Sequence, residues 1–182
     1  MSKKDDLKKF QKESLEAHND YRAAHGTPKL KLADDLNKIA QAYADQLAKT
    51  DSFRHSKRDG LGENLAMHFS SESTNYSGGE ATQQWYSEIE KYNFDRCGFT
   101  PGTGHFTQVI WAETKELGVG KAITKSGKVL AVANYRPAGN MIGKFRENVL
   151  PLKKSRSVDL TKHSCTRRSS SSSSDDEQKS KK

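Results

Sequence analysis

GHFTQVIWAET, residues 104–114, sits between two kinds of sequence. Its apolar centre, His105 to Trp111, is short enough for one strand or one helical turn, and periodicity leaves both open. On its C-terminal side, residues 117–124 and 129–136 alternate and are rich in β-branched residues. They flank the turn Lys125-Ser126-Gly127-Lys128, which is the pattern of a hairpin. On its N-terminal side, residues 93–104 carry three glycines and a proline and read as irregular. Before them, residues 80–92 place Ala81, Trp85, Glu88 or Ile89, and Tyr92 on one helical stripe, so that Glu88 points inward or along a cleft.

Further out the pattern is helical. Leu7, Phe10, Ser14, Ala17, His18, Tyr21 and Ala24 recur at three-and-four spacing and predict a helix over 6–25, ended by Gly26 and Pro28. Asp34 and Asp35 suit an N-cap and the first turn of a second helix, whose stripe is Leu36, Ile39, Ala40, Tyr43, Ala44 and Leu47. Residues 50–67 read as a loop or short strand carrying Arg54, His55 and Ser56, and residues 69–79 as loop. Helices first and a hairpin last predict an α+β layered fold, not a parallel α/β alternation.

At 182 residues the chain suits one ordinary domain. Lys+Arg number 31 against 23 Asp+Glu, a formal net charge of +8, and the mean hydropathy is -0.93. Much of that polarity lies in residues 155–182, whose only apolar members are Val158, Leu160 and Cys165. Such a stretch cannot bury enough surface to offset its ordering entropy, so 155–182 is expected to be a disordered Ser-rich tail and 1–154 the domain. The longest apolar run, Val129 to Ala133, is far below the roughly 18 residues of a membrane-spanning helix. The N-terminus shows no apolar signal segment, and Ser2 stands where myristoylation needs Gly. With only Cys97 and Cys165 available, a structural disulfide would gain little, and an intracellular setting is expected.

No P-loop, HExxH, GxSxG or zinc-finger spacing occurs. What remains is a set of titratable residues in positions a solvated surface does not require: His55, Glu63 within GLGEN, Glu88 on the stripe of Trp85, and His105 between Gly104 and Phe106. If the fold gathers these four, they form either a mutually satisfied hydrogen-bond network or a divalent-metal site. The bland alternative is four separate polar residues with local partners. Trp85, Trp111, Tyr43 and Tyr135 read as core aromatics, and Asn64 and Asn134 as residues that knit loops to the cleft.

GHFTQVIWAET resembles the first signature of the CAP superfamily (cysteine-rich secretory proteins, antigen 5 and pathogenesis-related proteins of class one). VANYRPAGNM at 132–141 resembles the second, with Ala133 where secreted members carry a cysteine. HNDYRAAHG at 18–26, RHS at 54–56, GENLA at 62–66 and WYSEIEKYNF at 85–94 match the other landmarks in order, so the resemblance covers about residues 8–153. GTGHFTQVIW, LGVGKA, PAGN and ENVLPLKK point to the Golgi-associated branch of that family. The resemblance implies a three-layer α-β-α sandwich in which His55, Glu63, Glu88 and His105 line a central cleft. It also implies that His55 and His105 can hold zinc, weakly and in competition with protons, and that homodimers form.

A non-enzymatic binding protein is the expected class. Metal-assisted hydrolysis by the same cleft is the alternative, but it would also need an oxyanion donor and a substrate groove that the sequence does not specify. Ser56, adjacent to His55, does not by itself make a nucleophile pair. Lys3, Lys4, Lys8, Lys9 and Lys12 cluster on the first helix and could hold the chain on acidic phospholipid at about 1 kcal/mol each; a solvated charged face is the competing reading. Together with the family branch, this makes a peripheral protein on the cytosolic face of the Golgi the expectation, with an extracellular location as the alternative. No nucleic-acid recognition module appears. Ser169 to Ser174, followed by Asp175, Asp176 and Glu177, suit an acid-directed kinase, whose phosphates would repel an acidic membrane.

Overall fold

The first helix begins earlier than its apolar periodicity predicts, because Ser2 caps it. In the computed structural model, which describes residues 2–153, the Ser2 hydroxyl accepts from the Asp5 backbone N–H at 3.1 Å, and α1 spans Lys3–His25. The lysine cluster therefore rides on one capped helix. Gly26, at φ 73, closes that helix in the left-handed conformation glycine tolerates. The tail expected over 155–182, with Cys165 and the serine run, lies outside the described residues.

The remaining elements are β1 (Lys31–Leu32), α2 (Asp34–Thr50), β2 (Gly62–His68), α3 (Gly78–Tyr86) continued by a 3-10 turn (Ser87–Lys91), α4 (Gly104–Ile110), β3 (Glu116–Ile123), β4 (Val129–Arg136) and α5 (Phe145–Asn148). One sheet runs β1-β3-β4-β2; β1 is parallel to β3 and the other pairings are antiparallel. The mixed α+β class expected from the sequence is the fold found. The hairpin forms as predicted, with Leu117 opposite Tyr135 and Ile123 opposite Val129.

Alternation along β4 separates two cores. Val129, Ala131, Ala133 and Tyr135 face α1, α3 and α4 in a cluster that includes Phe10, Trp85, Phe106 and Trp111. Leu130 and Val132 face α2 with Ala40, Ala44, Leu47 and Leu65. These are the three layers: α2, the sheet, and the α1/α3/α4 group. Trp85, Trp111 and Tyr135 are core residues, as their size implies. Tyr43 is not; it is half-buried, and its hydroxyl donates to the Arg54 carbonyl at 2.6 Å.

Segment 105–111, ambiguous by periodicity, is helical through Ile110, with Trp111 following as the C-cap residue. The predicted helix over 80–92 instead starts at Gly78 behind a capping box between Ser77 and Glu80, then tightens into the 3-10 turn that carries Glu88. β1 and α5 give no periodic signal because two and four residues are too few to show one.

Two glycines set the distance between α2 and the sheet. A Cβ at Gly118 would overlap the backbone of Leu36 and Asn37, and one at Gly120 the backbone of Ala40 and Gln41. Backbone cannot yield as a side-chain tip can, so Gly118→Ala is expected to cost about 3 kcal/mol, seen as a fall in the urea midpoint at unchanged slope. A change within experimental error would mean that α2 is free to shift.

That close approach also protects a sheet edge. β1 covers β3 only at Glu116 and Leu117. Beyond it, Asn37 Oδ1 accepts from Val119 N at 2.9 Å and Gln11 Nε2 donates to Val119 O at 3.2 Å. Gln41 meets both backbone groups of Lys121, at 3.0 and 2.9 Å. Side-chain amides thus stand in for a missing strand, and the edge is closed to another chain along this stretch.

A buried arginine ties α1 to the opposite elements. Arg22 is 0% exposed; Nε donates to Pro28 O at 2.6 Å, Nη1 to Val109 O and Trp111 O at 3.1 and 2.8 Å, and Nη2 to Thr114 O at 3.0 Å. Burial pulls the guanidinium down to about 10, still charged at neutral pH.

Candidate functional site

The four residues singled out from the sequence form two imidazole–carboxylate pairs. Glu88, on the 3-10 turn, accepts from His105 Nδ1 at 2.7 Å through one oxygen. Its other oxygen accepts from the backbone N–H groups of His105 and Phe106 at 2.9 and 3.2 Å. The carboxylate therefore orients the ring and satisfies the first turn of α4, whose N-cap Thr103 makes no side-chain cap bond. Burial pushes Glu88 up, but the hydrogen bond and charge of His105 and the two N–H donors outweigh it, so its carboxyl lies below the ordinary carboxylate value.

Glu63, on β2, repeats the arrangement against the loop before it. One oxygen accepts from His55 Nδ1 at 2.8 Å and from Ser56 N at 2.9 Å, and the other from the Ser56 hydroxyl at 2.5 Å. The Glu63 side chain is only 10% exposed, whereas His55 is 57% exposed. The Ser56 hydroxyl is thus bonded to the carboxylate and not to the imidazole, which is not the geometry of an activated nucleophile.

Because each Nδ1–H donates to an acceptor-only carboxylate, the lone pair left to each neutral ring sits on Nε2. That is how an outer-shell carboxylate prepares a histidine to bind a metal. Among the described residues, no group of three or more His, Cys, Asp or Glu side chains is arranged to hold a metal ion. Two imidazoles would need solvent to complete a zinc ion.

The two pairs are linked through β2. Asn64, one residue past Glu63, donates to His105 O and to the Tyr135 hydroxyl, each at 3.1 Å. Tyr135 in turn bonds His18 Nε2 at 2.9 Å, and His18 Nδ1 bonds Ser14 O at 2.7 Å. A buried polar chain therefore runs from α1 to the backbone of α4. Asn64, expected to knit a loop to the cleft, instead ties β2 to α4 and β4, and His18, read from the sequence only as a stripe residue, is an added member. Asn134 Nδ2 donates to Gly62 O at 3.4 Å, and its Oδ1 is buried with no hydrogen-bond partner among the described residues. A cleft of about 590 Å³ opens beside it, lined by Tyr43, Arg54, His55, Ser56 and Glu63; Glu88 and His105 are not among its lining residues.

The Glu88 arrangement yields a measurable expectation. Glu88→Ala removes three acceptor contacts at a helix start and should cost about 1–2 kcal/mol. A group whose folded pKa is lowered stabilises fully above its unfolded value and loses that contribution as pH falls through the folded value. The difference between wild type and Glu88→Ala should therefore shrink in acid. Urea midpoints at pH 7 and pH 3 test this; an equal gap at both would remove the ionised carboxylate from the account.

The lysines predicted to meet a membrane are all exposed on α1 but do not form one face. Lys9 and Lys12 pair with Glu13 and Glu16 one turn on, at 3.7 and 3.8 Å. Lys3 and Lys4 instead edge a separate groove, where Lys49 and Lys125 join them from α2 and the hairpin turn. Those two lysines carried no signal in the sequence, because only the fold brings them to α1.

A model of the Cysteine-rich secretory protein (CAP) family matches residues 15–135. The chain is 50% identical over 152 residues to Golgi-associated plant pathogenesis-related protein 1 of Homo sapiens, covering 81% of this chain and 96% of that one. It is 37% identical over 145 residues to Protein PRY2 of Saccharomyces cerevisiae, covering 79% of this chain and 42% of the yeast protein. Among solved structures, that of BmVAL-1 superposes with a TM-score of 0.66 at 30% identity over 80% of this chain and 84% of that one. The crystal structure of NaASP2 with Zn2+ does so with 0.65 at 28% identity, over 82% and 89%.

Proposed function

This chain belongs to the Cysteine-rich secretory protein (CAP) family, and from that premise we propose that it is a non-enzymatic protein that binds acidic phospholipid membranes peripherally, at the cytosolic face of the Golgi. The observation that carries this reading is the capped, lysine-rich helix α1, with Lys3, Lys4, Lys8, Lys9 and Lys12 exposed. The Golgi association in the name of the human relative supports the location. No helix of the described residues is long and apolar enough to cross a membrane, which is consistent with attachment at the surface. Binding by charge of this kind weakens with salt. Co-sedimentation of the full chain with neutral and acidic liposomes, at low and physiological salt, tests it. Capture by acidic vesicles alone, reduced by salt, is the expected result; no capture under any condition rejects the reading.

The His55–Glu63 and His105–Glu88 pairs support a second element of the proposal, weak zinc binding through the two Nε2 atoms. That NaASP2 was crystallised with Zn2+ is in keeping with such a donor set. Imidazole nitrogens cannot hold a metal and a proton at once, so affinity should fall in acid. Calorimetric titration of the chain and of His55→Ala and His105→Ala checks it: loss in both variants is expected, and unchanged binding in either removes that histidine from the site.

The same pairs favour metal-assisted hydrolysis as the competing reading. The double change His55→Ala, His105→Ala separates the two. It leaves lipid capture intact under the proposal and abolishes turnover under the alternative.

A further inference from the structure

The end of the sandwich that holds the β3–β4 turn carries an unmatched positive rim around an apolar floor. A groove of about 640 Å³ lies between the start of α1, the end of α2 and the end of β3. Its floor includes Leu7, Ala48, Ala122 and Ile123, and its rim includes Lys3, Lys4, Lys49 and Lys125. None of those four lysines is in an ion pair among the described residues. Lys121, by contrast, is neutralised by Asp6 at 2.9 Å and covers the Phe10 ring. Of the two carboxylates lining the groove, only Asp45 is then left against four ammonium groups.

Large apolar side chains are exposed at the same end. Ile123 is 51% exposed and Phe69 62% exposed, and the Phe69 ring lies against the turn at Gly127. The two pairs at the candidate site occupy the other end of the sheet, since Glu63 sits opposite Asn134 and His68 opposite Val129.

We propose that this groove is the membrane-docking surface: lysines Lys3, Lys4, Lys49 and Lys125 seat the phosphates of anionic phospholipids while Ile123 and Phe69 enter the headgroup–acyl border. Charge complementarity selects this occupant, because the rim is cationic on three separate elements and the exposed residues beside it are apolar. An anionic bilayer presents a plane of phosphates over hydrocarbon. The outer lysines of α1 contribute less, since Lys9 and Lys12 already have carboxylate partners. In this orientation the hairpin turn faces the bilayer and the cleft beside His55 points away from it, open to solution while the protein is bound. The inference rests on the acidic-membrane reading and assigns it to a surface.

The test is co-sedimentation of the full chain and four variants with phosphatidylcholine vesicles, with and without phosphatidylserine. Lys49→Gln/Lys125→Gln should weaken partition onto acidic vesicles about thirtyfold, at about fivefold per positive charge removed. The charge-reversed pair Lys49→Glu/Lys125→Glu should give a larger loss in the same direction. Ile123→Asp/Phe69→Asp should remove the part of the binding that survives high salt. Lys9→Glu/Lys12→Glu should change binding no more than about fivefold. If that last variant abolishes capture while Lys49→Glu/Lys125→Glu leaves it intact, the groove is overturned and the acidic-membrane reading stands. If the unmodified chain ignores acidic vesicles, the reading beneath the proposal falls with it. All variants lie at exposed or rim positions, and thermal unfolding of each confirms that it is folded.

Discussion

Arg22→Met should lower the stability of this protein by about 3–5 kcal/mol, the range for removing one partner from a buried charged network. Methionine matches the length of the arginine stem, so the loss isolates the guanidinium. Its removal leaves the carbonyls of Pro28, Val109, Trp111 and Thr114 without these donors in a dry interior, and each unmet acceptor costs about 1–3 kcal/mol. The charge itself was expensive to bury, which offsets part of that sum. No carboxylate neutralises Arg22 in these bonds; four carbonyl dipoles do, two of them at the end of α4. Arg22→Lys keeps the charge but concentrates its donors at one point and cannot reach four diverging acceptors, so it should recover only part of the loss. Urea unfolding of the three proteins decides the matter. A loss under about 1 kcal/mol for Arg22→Met would mean that water replaces the guanidinium, and that α1 is held by its apolar stripe alone.

Acidification from pH 7 to pH 4.5 should destabilise the protein by about 3 kcal/mol. His18 is fully buried, and burial together with the nearby Arg22 charge lowers its pKa to about 4. Its surroundings explain why a second ring proton is unwelcome. Nδ1–H already donates to Ser14 O, and Nε2 accepts from the Tyr135 hydroxyl, which also receives a bond from Asn64. Thr82 and Trp85 fill the remaining space. Between about pH 6.5 and the lowered value the unfolded chain binds a proton that the folded chain refuses, so stability rises with pH across that window. His25, lowered by its own burial, acts in the same direction. His18→Gln should flatten the dependence even if it lowers stability at every pH. Melting temperatures at half-unit intervals measure the slope. A flat profile in the wild type would show that His18 takes up its proton without unfolding. Because Asn64 also bonds the His105 carbonyl, the same protonation would act on the chain that reaches the candidate site.

The candidate site was legible in parts, and the division has a physical basis. His55, Glu63, Glu88 and His105 stood out as titratable groups among apolar and glycine-rich neighbours, and each imidazole has one of these carboxylates as its partner. The choice of partner could not be read. Glu88 meets His105 across 17 positions and Glu63 meets His55 across 8, distances at which neither helical nor strand periodicity constrains a side chain. The 3-10 turn that delivers Glu88 was equally hidden, because the apolar stripe through Trp85 and Ile89 is compatible with a continued α-helix. Tyr43 shared the stripe of α2 and so looked like core, although its hydroxyl reaches the Arg54 carbonyl at the rim of the cleft.

Local chemistry in the chain was enough to place α1, α2 and the β3–β4 hairpin, since three-and-four or alternating spacing and a glycine turn act over a few residues. The motif order through residues 8–153 was enough for the family. Tertiary structure alone decided that 104–110 is a helix, capped by a carboxylate from another element. It alone set Gly118 and Gly120 under the backbone of α2, closed the β3 edge with Asn37, Gln41 and Gln11, and brought Lys49 and Lys125 beside Lys3 and Lys4. Each of these joins residues far apart in the chain. The energies that fix them are those of packing, desolvation and charge between surfaces, which exist only once the layers have met.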